Sequence, residues 1–191
     1  VKKYILFGEQ NYEHTMPKTT PETRAQELLK TRKTLILATS DKSGNPTASY
    51  APYVRRDNCF YINVSMLSRH TRELLDTKRA SVLMIEDEED AANIFARKRI
   101  TFSCDVADIP RKSGEWEEIM DAFRHVFGEI FDSIRPLGDF VLFRLTPTEA
   151  VYVEGFGKAY RMSGDLQNPI HVRGTGPGAL AHERDNKKNS A

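Results

Sequence analysis

Apolar and polar positions along this chain recur with two periods, and the shorter one dominates. Thr34–Ser40, Thr47–Arg55 and Cys59–Val64 are short runs rich in β-branched and aromatic residues, bounded by turn chemistry, which is the mark of strands. Between the first two, Asp41-Lys-Ser-Gly-Asn-Pro46 predicts a hairpin, with Gly44 supplying a positive φ and Pro46 pre-setting the return strand. Arg56-Asp57-Asn58 predicts a second turn. Ala80–Ile85 is continuously apolar and reads as a central strand. Arg99–Asp108, Phe140–Leu145 and Ala150–Tyr160 follow as strands, the last two parted by a turn at Pro147 and Thr148.

Helical spacing marks the remaining elements. Thr20-Pro21 is an N-cap and first-turn pair, opening a helix over Glu22–Arg32 with Ala25, Leu28 and Leu29 on one side. A short helix is predicted over Ser68–Thr77. The run Glu86-Asp-Glu-Glu-Asp90 places acid where the positive end of a helix dipole favours it, so a helix running to about Arg97 is predicted, the run being a solvated cap and not a metal site. From Glu115 onward, Trp116, Ile119, Met120, Phe123, Phe127, Ile130 and Phe131 form one stripe, with Glu118, Asp121, His125 and Asp132 opposite. That pattern predicts one long amphipathic helix packed on the sheet, with Trp116 in the core. The fold class is therefore mainly β (α+β), an antiparallel six- to seven-stranded barrel with flanking helices over residues 20–164. Residues 1–19 read as an N-terminal arm, and residues 165–191, rich in Gly, Pro, Asn and charge, as a flexible C-terminal segment that makes no core of its own.

Bulk numbers narrow the function. A chain of 191 residues, 39% hydrophobic, supports one well-buried core. Lys plus Arg (28) nearly balance Asp plus Glu (27), so no global field holds nucleic acid or an anionic membrane, and any anion site must be built locally. Cys59 and Cys104 stand in strands without a CxxC or a nearby His, as reduced thiols of a cytoplasmic protein do. No apolar run is long enough for a membrane span, and Val1–Gln10 is too short and polar for a signal peptide, so a cytoplasmic protein is expected.

Candidate chemistry is confined to a few segments. Phe95-Ala-Arg-Lys-Arg-Ile-Thr-Phe102 leads three consecutive cations into a strand, and Arg97 and Arg99, two residues apart, would share one face and converge on an anion. The competing reading pairs them with the acids at 86–90. Ser65, Ser68, Arg69, His70 and Thr71 offer hydroxyls, a guanidinium and helix-start amides, the chemistry of a phosphate or propionate cradle; a plain capped turn is the alternative. Asp139 follows Gly138, where on its own it reads as a turn residue. His14, His70, His125, His171 and His182 lack zinc-hydrolase spacing, and no GxSxG, P-loop or GxGxxG occurs.

Taken in order, Arg32-Lys-Thr-Leu-Ile-Leu-Ala-Thr, Ser49-Tyr-Ala-Pro-Tyr-Val, Arg69-His70, Met84-Ile-Glu-Asp-Glu88, Phe95–Phe102, Phe127-Gly-Glu-Ile130, Asp139-Phe-Val-Leu-Phe-Arg-Leu145 and Gly155-Phe-Gly-Lys-Ala-Tyr160 resemble the pyridoxamine 5′-phosphate oxidase-like split β-barrels. Within them the chain is similar to the haem-utilisation branch of HugZ/HutZ type, over about Arg24–Gly164. The resemblance implies a homodimer that binds haem at the subunit interface, where flavin-binding relatives hold FMN. It implies an iron-ligating histidine from the C-terminal segment, here His182 with His171 as the alternative. It also implies Asp139 as the carboxylate supporting that histidine and Arg99 as the basic residue near the haem. The expected function is oxidative haem degradation for iron utilisation, fed by an external electron donor. The rival readings are an FMN-dependent oxidoreductase using Ser65, Arg69 and Thr71, and a non-catalytic haem carrier or sensor.

Overall fold

In the computed structural model, which describes residues 19–172, the chain opens with helix α1, Pro21–Lys30. The Thr20 hydroxyl caps it by accepting from the Thr23 amide. Its Ala25, Leu28 and Leu29 are buried against the barrel, and the Tyr53 hydroxyl reaches the carbonyls of Arg32 (3.1 Å) and Leu29 (3.3 Å) where the helix ends. Strands β1 (Thr34–Ser40) and β2 (Pro46–Arg56) form the expected hairpin. Asp41 organises its turn, accepting from the amides of Ser43 and Asn45, both at 2.9 Å, while Gly44 takes φ +85°. Asp57 and Asn58, both at positive φ, turn the chain into β3, Cys59–Ser65.

Helix α2 (Arg69–Thr77) leads through a left-handed Lys78 into β4 (Arg79–Ile85). Next come β5 (Arg99–Ile109), α3 (Gly114–Phe127), α4 (Ile130–Ile134), β6 (Phe140–Val153), β7 (Ala159–Ser163) and the two-residue β8 (Ile170–His171). The strands run in the order β3-β2-β1-β4-β5-β6-β7-β8, all neighbours antiparallel, and a further β3–β6 pairing closes the first six into a barrel. Leu35, Leu37, Phe60, Ile62, Val82, Ile100, Phe102 and Phe143 fill its interior. Burying each such side chain contributes about 1.5–3 kcal/mol. A second core lies outside the barrel wall, where Trp116, Ile119, Met120 and Phe123 of α3 and Phe131 of α4 cover Val54, Tyr61 and Leu142. No helix among the described residues is long and apolar enough to cross a membrane.

Four local expectations are corrected. Residues 86–98 form a hairpin connection carrying only one 3-10 turn, Ile94–Ala96, where a helix to Arg97 was expected. Glu86 is buried: its amide donates to the Lys98 carbonyl (2.9 Å) and its carboxylate accepts from the Lys98 amide (2.7 Å), which extends the β4–β5 ladder and leaves no helix start for the acids to cap. The long helix breaks at Gly128, whose φ of +75° no helix can contain, giving α3 and α4. No turn occurs at Pro147 and Thr148, because β6 is one strand of 14 residues. The predicted strand Ala150–Tyr160 folds back at Glu154–Lys158, Gly155 and Gly157 both taking positive φ, so it supplies the end of β6 and the start of β7.

Pro147 lies where β6 changes partner: residues 140–145 pair with β3 and 149–153 with β7. The missing amide therefore falls in the gap between the β3 and β7 ladders, with only Cys104 of β5 opposite, at a register shift. Gly164, just past β7, is packed so closely there that a Cβ would overlap the Pro147 carbonyl and the Thr148 nitrogen. Gly164→Ala is expected to destabilise the fold by about 1–3 kcal/mol or more, read as a fall in the calorimetric unfolding midpoint. An unchanged midpoint would mean that this strand exchange is less tightly packed than described.

Candidate functional site

The antiparallel topology sorts the candidate residues onto two ends of the barrel. At one end, β3 and β6 pair Ser65 with Phe140, which delivers Asp139 against the β3–α2 loop. The Ser65 hydroxyl donates to the Asp139 carboxylate (2.7 Å), and the Met66 amide donates to the Asp139 carbonyl (2.8 Å). Ser65 Oγ accepts from the Leu67 amide (3.1 Å), and the Thr71 hydroxyl donates to the Ser65 carbonyl (2.6 Å). Asp139 thus sits exposed but anchored, with exposed Met66, Leu67 and Leu137 around it.

Beneath this loop lies a carboxylate that the sequence reading passed over. Glu73, only 4% exposed, accepts from the hydroxyls of Thr39 (2.5 Å) and Thr47 (2.8 Å) and from Arg69 Nε (2.7 Å). Burial works against its charge, but the hydroxyl and guanidinium donors outweigh it and hold the Glu73 carboxyl below its usual range. Asp41 completes the group, 3.5 Å from the Arg69 guanidinium. Arg69 is therefore already paired, and His70 is 9% exposed, its Nε2 buried without a hydrogen-bond partner. Burial pushes the His70 imidazole below its ordinary value. Signals for Glu73 did exist: the i,i+4 spacing from Arg69, and two threonines facing each other across the hairpin, Thr39 opposite Thr47.

At the opposite end, Arg97 lies in the β4–β5 connection and not on a strand face with Arg99, a further correction. It donates to the Glu86 carbonyl (Nε, 3.0 Å) and pairs with Glu88 (3.1 Å), so the acid-pairing alternative describes it. Arg99 opens β5 and faces outward, alternating with buried Ile100 and Phe102. It donates to the Arg97 carbonyl (3.1 Å), and no carboxylate among the described residues pairs with it. Its cross-strand neighbours are Ile85 and Val153. The same outer face carries Ile36, Ala38, Ala48, Tyr50, Leu83, Thr101 and Val151, an uncharged surface around Arg99; Arg161, across from Val151 on that face, is already paired with Glu149 at 2.8 Å. Tyr50 is 69% exposed and Ile36 41%.

His171 lies on the other side of the sheet. Arg99, Val153 and Ala159 are in register on the outer face, whereas Tyr152, Tyr160 and His171 follow one another on the inner one. The His171 ring meets Tyr160 edge-on at 5.3 Å, and its Nε2 is bonded to the Gly157 carbonyl at 2.7 Å. His182 lies outside the described residues. Two clefts, of about 400 and 330 Å³, contain none of these candidates.

The two groups are far apart. Asp139 precedes the first residue of β6 and Arg99 pairs with the last, so roughly 45 Å of strand contour separates them at about 3.3 Å per residue.

Comparison with known proteins then adds family evidence. The family described as pyridoxamine 5′-phosphate oxidase matches residues 21–154. A protein of Vibrio cholerae serotype O1 (strain ATCC 39315 / El Tor Inaba N16961) named heme oxygenase HutZ is 42% identical over 152 residues, 79% of this chain and 86% of that one. The crystal structure of Vibrio cholerae HutZ, described as a heme storage protein, aligns with TM-score 0.65 at 40% identity, covering 68% of this chain and 91% of the other. Campylobacter jejuni ChuZ aligns with TM-score 0.72 at 28% identity, covering 79% of this chain and 61% of its own.

The Glu73 network carries a pH signature. Because its folded carboxyl titrates below the unfolded one, its contribution is complete above the ordinary carboxyl value and is lost as pH falls through the folded value. Glu73→Gln is expected to flatten the acid limb of stability against pH, and to cost about 1–3 kcal/mol at neutrality. Chemical denaturation at a series of pH values checks this; an unaltered acid limb would show that Glu73 is not among the carboxylates that set it.

Proposed function

We propose that this chain, which belongs to the pyridoxamine 5′-phosphate oxidase family, binds haem between two of its copies and opens the porphyrin oxidatively for iron utilisation, with O2 and an external electron donor. One observation carries the reading: Arg99, with no carboxylate partner among the described residues, stands beside an apolar patch on the outer barrel face, whereas Arg161 on the same face is paired with Glu149. A haem presents a large apolar ring edged by two carboxylates and needs one imidazole. Ile36, Tyr50, Leu83, Val151 and Val153 offer the apolar surface, and Arg99 offers the counter-charge for a propionate.

The second copy follows from distance. Asp139 and Arg99 occupy opposite ends of β6, so both serve one haem only if they come from different copies. A two-fold contact that lays the Asp139 end of one barrel beside the Arg99 end of the other makes two equivalent sites. It also covers the exposed face, which is the reason for proposing a homodimer. His182 is the proposed iron ligand, since His171 is turned to the inner face and held by Gly157. Asp139 would accept from the ligand's second nitrogen, raising its donor strength. Haem supplies the oxygen chemistry when bound, while these residues bind it, orient it and exclude water.

The FMN alternative calls for a phosphate at Ser65, Arg69 and Thr71. There an arriving dianion would meet Asp139, Asp41 and Glu73, and both hydroxyls already donate elsewhere. The balance favours haem. A carrier or storage role is the second reading, favoured by the description of the Vibrio cholerae structure as a heme storage protein. The free thiols of Cys59 and Cys104 support work in a reducing compartment.

Visible absorption titrations with hemin and, separately, with FMN test the proposal on wild type, Arg99→Ala, His171→Ala and His182→Ala. A saturable Soret shift that is lost in His182→Ala, kept in His171→Ala and weakened roughly ten- to a hundredfold in Arg99→Ala is expected, a propionate–guanidinium pair being worth on the order of 1.5–3 kcal/mol. FMN binding without a specific Soret response would replace the haem reading with a flavoenzyme. Addition of reductant and O2 then separates degradation, which abolishes the Soret band, from storage, which restores the ferric spectrum.

A further inference from the structure

We infer that Arg111 is a positioning residue that holds Asp139 in place for its work on the haem ligand. This rests on the reading of Asp139 as the carboxylate supporting the iron-bound histidine. Asp139 ends the segment Arg135-Pro-Leu-Gly-Asp139, which joins α4 to β6 and lies outside both elements. Its amides bond back only as far as Leu137, which donates to the Ile134 carbonyl (3.0 Å); Pro136 donates nothing, and Gly138 leaves the last step to Asp139 without a local restraint.

Arg111, two residues beyond β5, fixes it from outside. Its two terminal nitrogens donate separately to the carbonyls of Leu137 and Arg135, both at 2.8 Å, so one planar fork spans the proline. The fork is itself held in place. Its central carbon lies 5.1 Å from the centre of the Trp116 ring, and that of Arg135 lies 5.6 Å from the same ring. Trp116 is 6% exposed, and Arg135 is tied to Glu117 and Asp121 of α3, each at 2.6 Å. The clamp thus refers the loop to the rigid second core. Two residues past the Leu137 carbonyl, Asp139 is met by Ser65 at the end of β3 and by Met66 just beyond it, so its carboxylate is set from both sides. Lysine in place of Arg111 keeps the charge near Trp116 but reaches one carbonyl at most.

Hydrogen exchange on the haem-free protein tests the clamp, with the Met66 amide as reporter because it donates to the Asp139 carbonyl. In Arg111→Gln and Arg111→Lys the Met66 amide should exchange about tenfold faster while barrel amides such as Ile100 keep their protection. Unchanged Met66 protection in both variants would overturn the inference. With haem bound, the ferrous iron–histidine stretching frequency should fall in Asp139→Asn and likewise in Arg111→Gln, and Arg111→Gln/Asp139→Asn should add little to either. A frequency shifted by Asp139→Asn but not by Arg111→Gln would also overturn it. A frequency shifted by neither, with Met66 protection lost, would refute the reading of Asp139 while leaving the clamp in place. Retained barrel protection in both variants shows that they fold.

Discussion

The hydrogen-bond requirement of one long strand organises this molecule. Every amide and carbonyl in the sheet interior needs a partner, and β6 meets that need with three strands: β5 along one edge, and first β3 and then β7 along the other. Its β3 half closes the barrel, and its β7 half continues the sheet beyond it. The handover falls at residues 146–148, where Pro147 needs no donor, and opposite a register shift at Ser103/Cys104 in β5. Because β6 runs the length of the barrel, it also fixes where chemistry can gather: its start carries Asp139, and its last residue pairs with Arg99.

On the proposed haem reading, that separation is what makes a single copy insufficient. One end holds a loop built on Ser65, Asp139 and the buried Glu73 network, rich in acceptors and already satisfied. The other holds the Arg99 guanidinium, without a carboxylate partner among the described residues, beside an apolar patch. Neither end alone offers a haem its walls, its counter-charge and its ligand. The outer face that would carry the second copy is also the part of the barrel that no described helix covers, since α1 seats its apolar side on the barrel through Tyr53 and α3 covers the wall formed by Val54, Tyr61 and Leu142.

Much of the fold was legible because its signals are local. The Asp41–Pro46 turn, the Thr20 cap and the period-2 runs each state their conformation within a few residues. Errors arose where a local rule met a longer-range demand. The acids at 86–90 suit a helix start, yet Glu86 serves as a buried acceptor for Lys98 across the hairpin. The stripe from Trp116 to Phe131 is continuous in period, yet Gly128 turns the chain between two helices that share one core. Pro147 looks like a turn, and only the partner exchange of β6 shows why a strand tolerates it there. Of the site, Arg99 stood out in its run of three cations, whereas its place near the haem and the role of Asp139 came through family resemblance, since neither periodicity nor spacing distinguishes Asp139 from an ordinary turn residue. Glu73 and Arg111 act through residues 26 to 34 and 24 to 26 positions away, respectively, and no single-segment pattern reveals such contacts.

The account's central claim is that each haem site takes Arg99 from one copy and Asp139 from another. Subunit mixing tests it most directly: Arg99→Ala and Asp139→Asn proteins, each impaired alone, are dissociated, combined in equal amounts and reassembled, and haem turnover is measured. Shared sites predict recovery in about a quarter of them, since half the reassembled dimers are mixed and each mixed dimer holds one intact site. Recovery to no more than the average of the two parents would contradict the account and place both residues' work within a single copy.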